Sequence, residues 1–137
     1  MNSSRNLESD GVSSPTLATR LIVSHHGDKD GRLIAVDFDT LPFLPVRAFT
    51  VCDVPPGTVR GGHAHRSGHQ LLVCTNGRIQ VDLRHNGASE TIEYGPFEPA
   101  LLVAPGVWSR QVYLDPATSL LVLCLSLIHI SEPTRPY

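Results

Sequence analysis

Two apolar runs joined by Asn76-Gly77 constrain this chain more than any other stretch. Leu71-Leu72-Val73-Cys74-Thr75 precedes the dipeptide and Arg78-Ile79-Gln80-Val81-Asp82-Leu83 follows it. In the second run apolar and polar residues alternate, the period of a strand with one face on a core. Asparagine followed by glycine accepts the positive φ angles of a two-residue turn, so the sequence predicts a hairpin in which these strands are paired neighbours. Asn86-Gly87 repeats the signal, with Ile79, Val81 and Leu83 leading into it and Thr91-Ile92-Glu93 after it.

The same rhythm of short β-branched and apolar runs, broken by Gly, Pro, Asn and Asp, extends along the chain. It predicts strands over 20–24, 32–37, 46–52, 62–65, 70–75, 78–84, 90–94, 100–104, 109–113 and 119–124, and no helix. That pattern is all-β, a barrel or sandwich. A length of 137 residues suits one domain with a core of its own. Residues 1–19, polar and rich in Ser and Asn, read as a disordered leader, because they lack the apolar centre of a secretory signal; the domain is expected over 20–124. The stretch 125–137 abandons the strand rhythm. Leu125 to Arg135 read as the translation of a transposon-end adapter used in preparing sequencing libraries, so this tail is expected to be read-through, and His129 within it enters no site.

Lys and Arg number 11 against 13 Asp and Glu, a formal charge of -2 with no basic block, which argues against nucleic-acid binding through phosphate neutralisation. A small anionic ligand stays open. The longest apolar runs, around 100–104 and 120–124, fall far short of the roughly 20 residues a membrane-crossing helix needs, so no membrane partner is expected. Cys52, Cys74 and Cys124 each sit in an apolar, strand-like run, and an odd number so placed predicts reduced thiols and a cytoplasmic protein.

The chemistry concentrates after Pro55-Pro56-Gly57, in Thr58-Val59-Arg60-Gly61-Gly62-His63-Ala64-His65 with His69-Gln70 close behind. His63 and His65, two apart on extended chain, point to one face, so their imidazoles converge. Imidazole suits proton transfer and metal ligation equally. Ala104-Pro105-Gly106 forms a second turn before Val107-Trp108-Ser109-Arg110-Gln111, and both clusters are expected at strand starts facing a common cavity. His25, His26 and His85 read as exposed loop histidines.

The order of Gly57, His63, His65, His69 and Gly77 is similar to the first motif of the cupin superfamily. Within it, Arg47-Ala48-Phe49, Arg60-Gly61-Gly62-His63-Ala64-His65, Gln70-Leu71-Leu72-Val73-Cys74 and Pro105-Gly106-Val107-Trp108 resemble the WxcM-like sugar-nucleotide 3,4-ketoisomerases, from about Gly31 to Cys124. The resemblance implies a single-domain cupin jelly roll. It also implies an isomerase that moves the keto group of a dTDP-4-keto-6-deoxyhexose between C4 and C3 through an enediol, without metal or other cofactor. A homodimer, often with swapped N-terminal strands, is implied too, and the apolar stretch from Leu41 to Val46 suits such an interface.

On that resemblance His63 is the base and His65 its relay or acid partner, while Arg60 holds the diphosphate or an oxyanion, which its planar fork suits. Arg47, Gln70, Trp108 and Arg110 complete the expected substrate-binding set. The chain departs from the pattern at Phe49-Thr50, where the family commonly carries a tyrosine, and at Ser109, where a metal-binding cupin places a histidine. Two other readings stay open: a metal-dependent small cupin with His63, His65 and His69 on zinc or iron, and a non-catalytic cupin that binds a sugar nucleotide.

Overall fold

A computed structural model describes residues 17–64 and 68–125. Most of the expected leader, nearly all of the expected tail, His65 and His129 lie outside the described residues. Antiparallel strands dominate, running β1 (Ala18–Leu21), β2 (Ser24–Asp28), β3 (Gly31–Ala35), β4 (Arg47–Val51), β5 (Val59–Ala64), β6 (Gln70–Asn76), β7 (Ile79–His85), β8 (Ala88–Tyr94), β9 (Ala100–Val103), β10 (Trp108–Tyr113) and β11 (Ser119–Cys124). The one helical element among the described residues is a short 3-10 turn, Phe38–Thr40.

Two sheets face each other. One has the order β1-β9-β6-β11-β4 and the other β5-β10-β7-β8, while β2 and β3 form a separate ribbon. The alternation read from the sequence sets the layers. Leu72, Cys74, Leu101, Val103, Leu120 and Val122 meet Ile79, Val81, Leu83, Ile92, Tyr94 and Tyr113 in the space between the sheets. The opposite face of the five-stranded sheet is also apolar: Leu71, Val73, Leu102 and Leu123 lie under Val23, Ile34, Val36, Leu41 and Phe43. Burial on both faces is why β6 and β11 read as continuous apolar runs while β7 alternates. This sandwich is the jelly-roll class expected.

The two Asn-Gly dipeptides behave differently. Asn86 and Gly87 both take positive φ, 50° and 81°, and close the β7–β8 hairpin with His85 opposite Ala88. At Asn76-Gly77 only Gly77 does so, with φ 74°, and the predicted hairpin is absent: β6 pairs with β9 and β11, β7 with β10 and β8. A two-residue type I′ turn needs both central residues in that region. The Thr118 hydroxyl accepts the Arg78 N–H at 3.2 Å and donates to the Arg78 carbonyl at 3.0 Å, leading the chain across to the other sheet. Gly77 is required there because a Cβ would come within 2.6 Å of the Thr118 Cα.

The N-terminal expectations also shift. In place of one strand over 20–24 the chain makes β1 and then β2, and His25 and His26 lie in β2, not in a loop. The ribbon is exposed and polar on β2, so it carries no alternation to read. It is pinned through Phe97, whose ring meets His25 edge-on at 5.5 Å and lies 3.3 Å from the Arg32 guanidinium carbon.

Candidate active site

β5 is an edge strand of the four-stranded sheet, and all six of its residues are exposed. Its partner β10 is continuous, but the register slips between Ser109 and Arg110: His63 lies opposite Ser109, Gly61 opposite Arg110 and Arg60 opposite Gln111. Gly62 is the extra residue of a β-bulge, and Gly61 and Gly62 take φ 87° and 86°. Residues three apart on a regular strand face opposite ways. The bulge reverses that phase and puts Arg60 and His63 on the same side.

That side faces the core. Ser109 and Gln111 lie opposite Leu83 and Val81, two core residues, so Ser109, Gln111, His63 and Arg60 share the inner face. On the other sheet Arg47, Cys124, Gln70 and Val103 form one cross-strand row, with Phe49, Val122, Leu72 and Leu101 in the next. Val103 and the second row belong to the core cluster or pack on it, so Arg47 and Gln70 also face inward. The Arg47 guanidinium carbon sits 5.3 Å from the Phe49 ring centre, a cation–π distance. Thr50 pairs with Leu121 on the opposite face, away from this group.

The inner space is therefore polar at its open side and inert in its depth. Burial pushes the Cys74 thiol up to about 11 and the Tyr113 phenol up to about 12, the latter opposed by the positive charge of Arg60. Burial also raises the Tyr94 phenol, which donates to the Leu72 carbonyl at 2.9 Å. All three stay protonated near neutrality.

Trp108 and Arg110, expected in the same site, lie on the outer face. The bulge and the strand alternation separate them from His63: Trp108 is opposite Ala64 and Arg84, Arg110 opposite Gly61 and Asp82. Arg110 Nε donates to Asp82 Oδ2 at 2.8 Å, and Gln80 and Thr91 donate to Asp82 Oδ1 at 3.1 and 3.0 Å. Burial alone would raise the Asp82 carboxyl, but these hydrogen bonds outweigh it and hold the group below its ordinary value. Arg84 and Arg110 flank the Trp108 ring at 4.9 and 6.0 Å. His69, a ligand in the metal reading, stacks on Phe43 at 5.7 Å with the rings 9° apart, and Phe43 packs on the outer apolar cluster. Among the described residues no three His, Cys, Asp or Glu side chains gather as a metal site. His85 is not a loop residue: it ends β7 and its Nδ1 lies 3.3 Å from the Gly106 carbonyl.

Sequence reading missed the bulge and the inward Ser109 and Gln111. The signal was present, since paired glycines inside a strand mark a bulge or a close backbone approach.

Over residues 18–133 the sequence matches the FdtA family, described as WxcM-like, C-terminal. A TDP-4-oxo-6-deoxy-alpha-D-glucose-3,4-oxoisomerase from Aneurinibacillus thermoaerophilus is 28% identical over 111 residues, 80% of this chain and 80% of the relative. QdtA, a sugar 3,4-ketoisomerase from Thermoanaerobacterium thermosaccharolyticum solved in complex with TDP, superposes with a TM-score of 0.74 at 26% identity, over 80% of this chain and 81% of that one. The TDP-quinovose 3,4-ketoisomerase WlaRB from Campylobacter jejuni gives 0.72 at 25% identity, over 80% and 85%.

Proposed function

This chain belongs to the FdtA, WxcM-like C-terminal family, and on that premise we propose that it is a sugar-nucleotide 3,4-ketoisomerase acting on a dTDP-linked 4-keto-6-deoxyhexose. The observation that carries the reading is the Gly62 bulge, which sets Arg60 and His63 side by side on an open inner face, across from Arg47 and Gln70. A base beside a cation is what the reaction needs.

His63 takes the C3 proton. The C3–H electrons form the C3=C4 bond, and the C4 carbonyl oxygen takes a proton, giving the enediol. The O3 proton then leaves, C3=O forms and C4 gains a proton. His65, adjacent along the strand motif, is the relay or acid partner. Arg60 and Arg47 answer the negative charge of the diphosphate and the developing oxyanion, and Gln70 faces the sugar. Trp108 and Arg110 are left to brace the outer sheet.

The reading extends to a homodimer, supported by the exposure of Ile22, Leu33, Leu44 and Val46, which gather in the N-terminal third. A cytoplasmic location fits three cysteines that remain thiols, and no helix of the described residues is long and apolar enough to cross a membrane. We read 125–137 as adapter-derived.

The test is His63→Asn. The account expects loss of product by about 1,000-fold or more with TDP binding retained within a few-fold. Unchanged turnover in the variant would remove His63 from the chemistry; TDP binding with no turnover by either protein would favour a binding cupin.

A further inference from the structure

The geometry points to Gln111 as a further substrate-binding residue, its amide holding the C3 and C4 oxygens of the sugar; this rests on the isomerase reading. Gln111 sits on the inner face directly across β5–β10 from Arg60 and two residues along from Ser109, which faces His63. Two residues of strand span about 6.6 Å, and the Gln111 amide leans back against Gly61, the neighbour of Arg60 on the His63 side, which shortens the gap to His63. A sugar whose C3 lies at His63 therefore reaches the Gln111 amide with a neighbouring oxygen.

Gly61 makes the position available. A Cβ there would come within 3.0 Å of Gln111 Oε1 and 3.2 Å of Nε2, so the amide lies against bare backbone. Its neighbours on the inner face of β7 and β10 are Val81, Leu83 and Tyr113. Among the described residues the amide makes no hydrogen bond, and Gln111 is half-buried, so a ligand entering past β5 can reach it. Its chemistry fits a 3,4-isomerisation. In substrate O4 is a carbonyl and O3 a hydroxyl; in product the two exchange. A primary amide donates to the carbonyl and accepts from the hydroxyl in either state by turning end for end about its last bond, where a cation such as arginine only donates.

The experiment compares wild type, Gln111→Met and Gln111→Glu with TDP-4-keto-6-deoxyglucose, alongside TDP affinity and thermal melting. Methionine keeps the volume and removes the amide. Gln111→Met is expected to lose roughly 10- to 100-fold in kcat/KM, with TDP affinity unchanged within twofold and no drop in Tm. Gln111→Glu, which cannot donate when ionised, is expected to lose at least as much. Full activity in Gln111→Met overturns the assignment, as does a loss of TDP affinity equal to the loss in kcat/KM, which would put the amide on the nucleotide. A wild type without turnover would sink the isomerase reading and this assignment with it, an outcome the control separates from failure of the variant alone.

Discussion

At the residue scale, the site turns on two glycines that the chemistry never touches. Gly61 and Gly62 hold the backbone angles that bring Arg60 round to the side of His63. Alanine at either position adopts a conformation that costs an L-residue about 1–2 kcal/mol, but the two are not equivalent. At Gly62 the nearest atom to an added Cβ is Trp108 Cζ2 at 3.8 Å, an ordinary contact; at Gly61 it meets the Gln111 amide and, at 3.3 Å, the Arg110 Cα. Thermal melts should therefore show Gly62→Ala destabilised by about 1 kcal/mol and Gly61→Ala by about twice that. Activity should fall further in Gly61→Ala, because Gln111 must move. Equal effects would mean that the contact with Gln111 carries no weight. His63, Arg60, Arg47 and Gln70 could be singled out as candidates in the sequence because their types suggest their chemistry, and the register puts all four on inner faces. Trp108 and Arg110 were misplaced because alternation assigns a face only once the register is known, and a one-residue bulge reverses it.

At the element scale, identical dipeptides made different connections, and the difference is tertiary. Asn86-Gly87 closes a hairpin within one sheet; Asn76-Gly77 hands the chain from one sheet to the other because Thr118, distant in sequence, binds both backbone groups of Arg78. Local turn chemistry supplies no information about that partner. The consequence is measurable by chemical denaturation. Gly87 has open space around it, so Gly87→Ala should cost only the backbone term, about 1 kcal/mol. Gly77→Ala drives a Cβ into Thr118 and should cost about 3 kcal/mol or more. Similar costs for the two would show that the crossing is not held by this packing. The strand positions themselves were readable, since period two and turn residues mark them, β3 among them, overlapping the expected 32–37; β2, exposed along its whole length, gave no such mark.

At the scale of the whole molecule, the fold class followed from composition and spacing, because a short chain of half-apolar strands has few ways to bury them other than two facing sheets. The sequence already marked the apolar stretch 41–46 as suited to an interface, but only the fold shows which of its residues stay outside, since Leu41 and Phe43 pack on the outer cluster and Leu44 and Val46 do not. Ile22, Leu44 and Val46 are 81%, 70% and 61% exposed, and among the described residues the ribbon pairs with no third strand. The proposed dimer covers this region. Sedimentation should give twice the chain mass at micromolar concentration, and Leu44→Asp with Val46→Asp should shift the population to monomer. A wild-type monomer would contradict that part of the account.

If protein groups on the inner face of β5 move a keto group between C4 and C3, the sugar itself reports it. The most direct measurement is NMR of TDP-4-keto-6-deoxyglucose incubated with the wild-type protein. The C4 carbonyl signal should give way to a C3 carbonyl, with solvent deuterium appearing at C4 in heavy water. A substrate spectrum unchanged by the protein, under conditions where TDP binds, would contradict it.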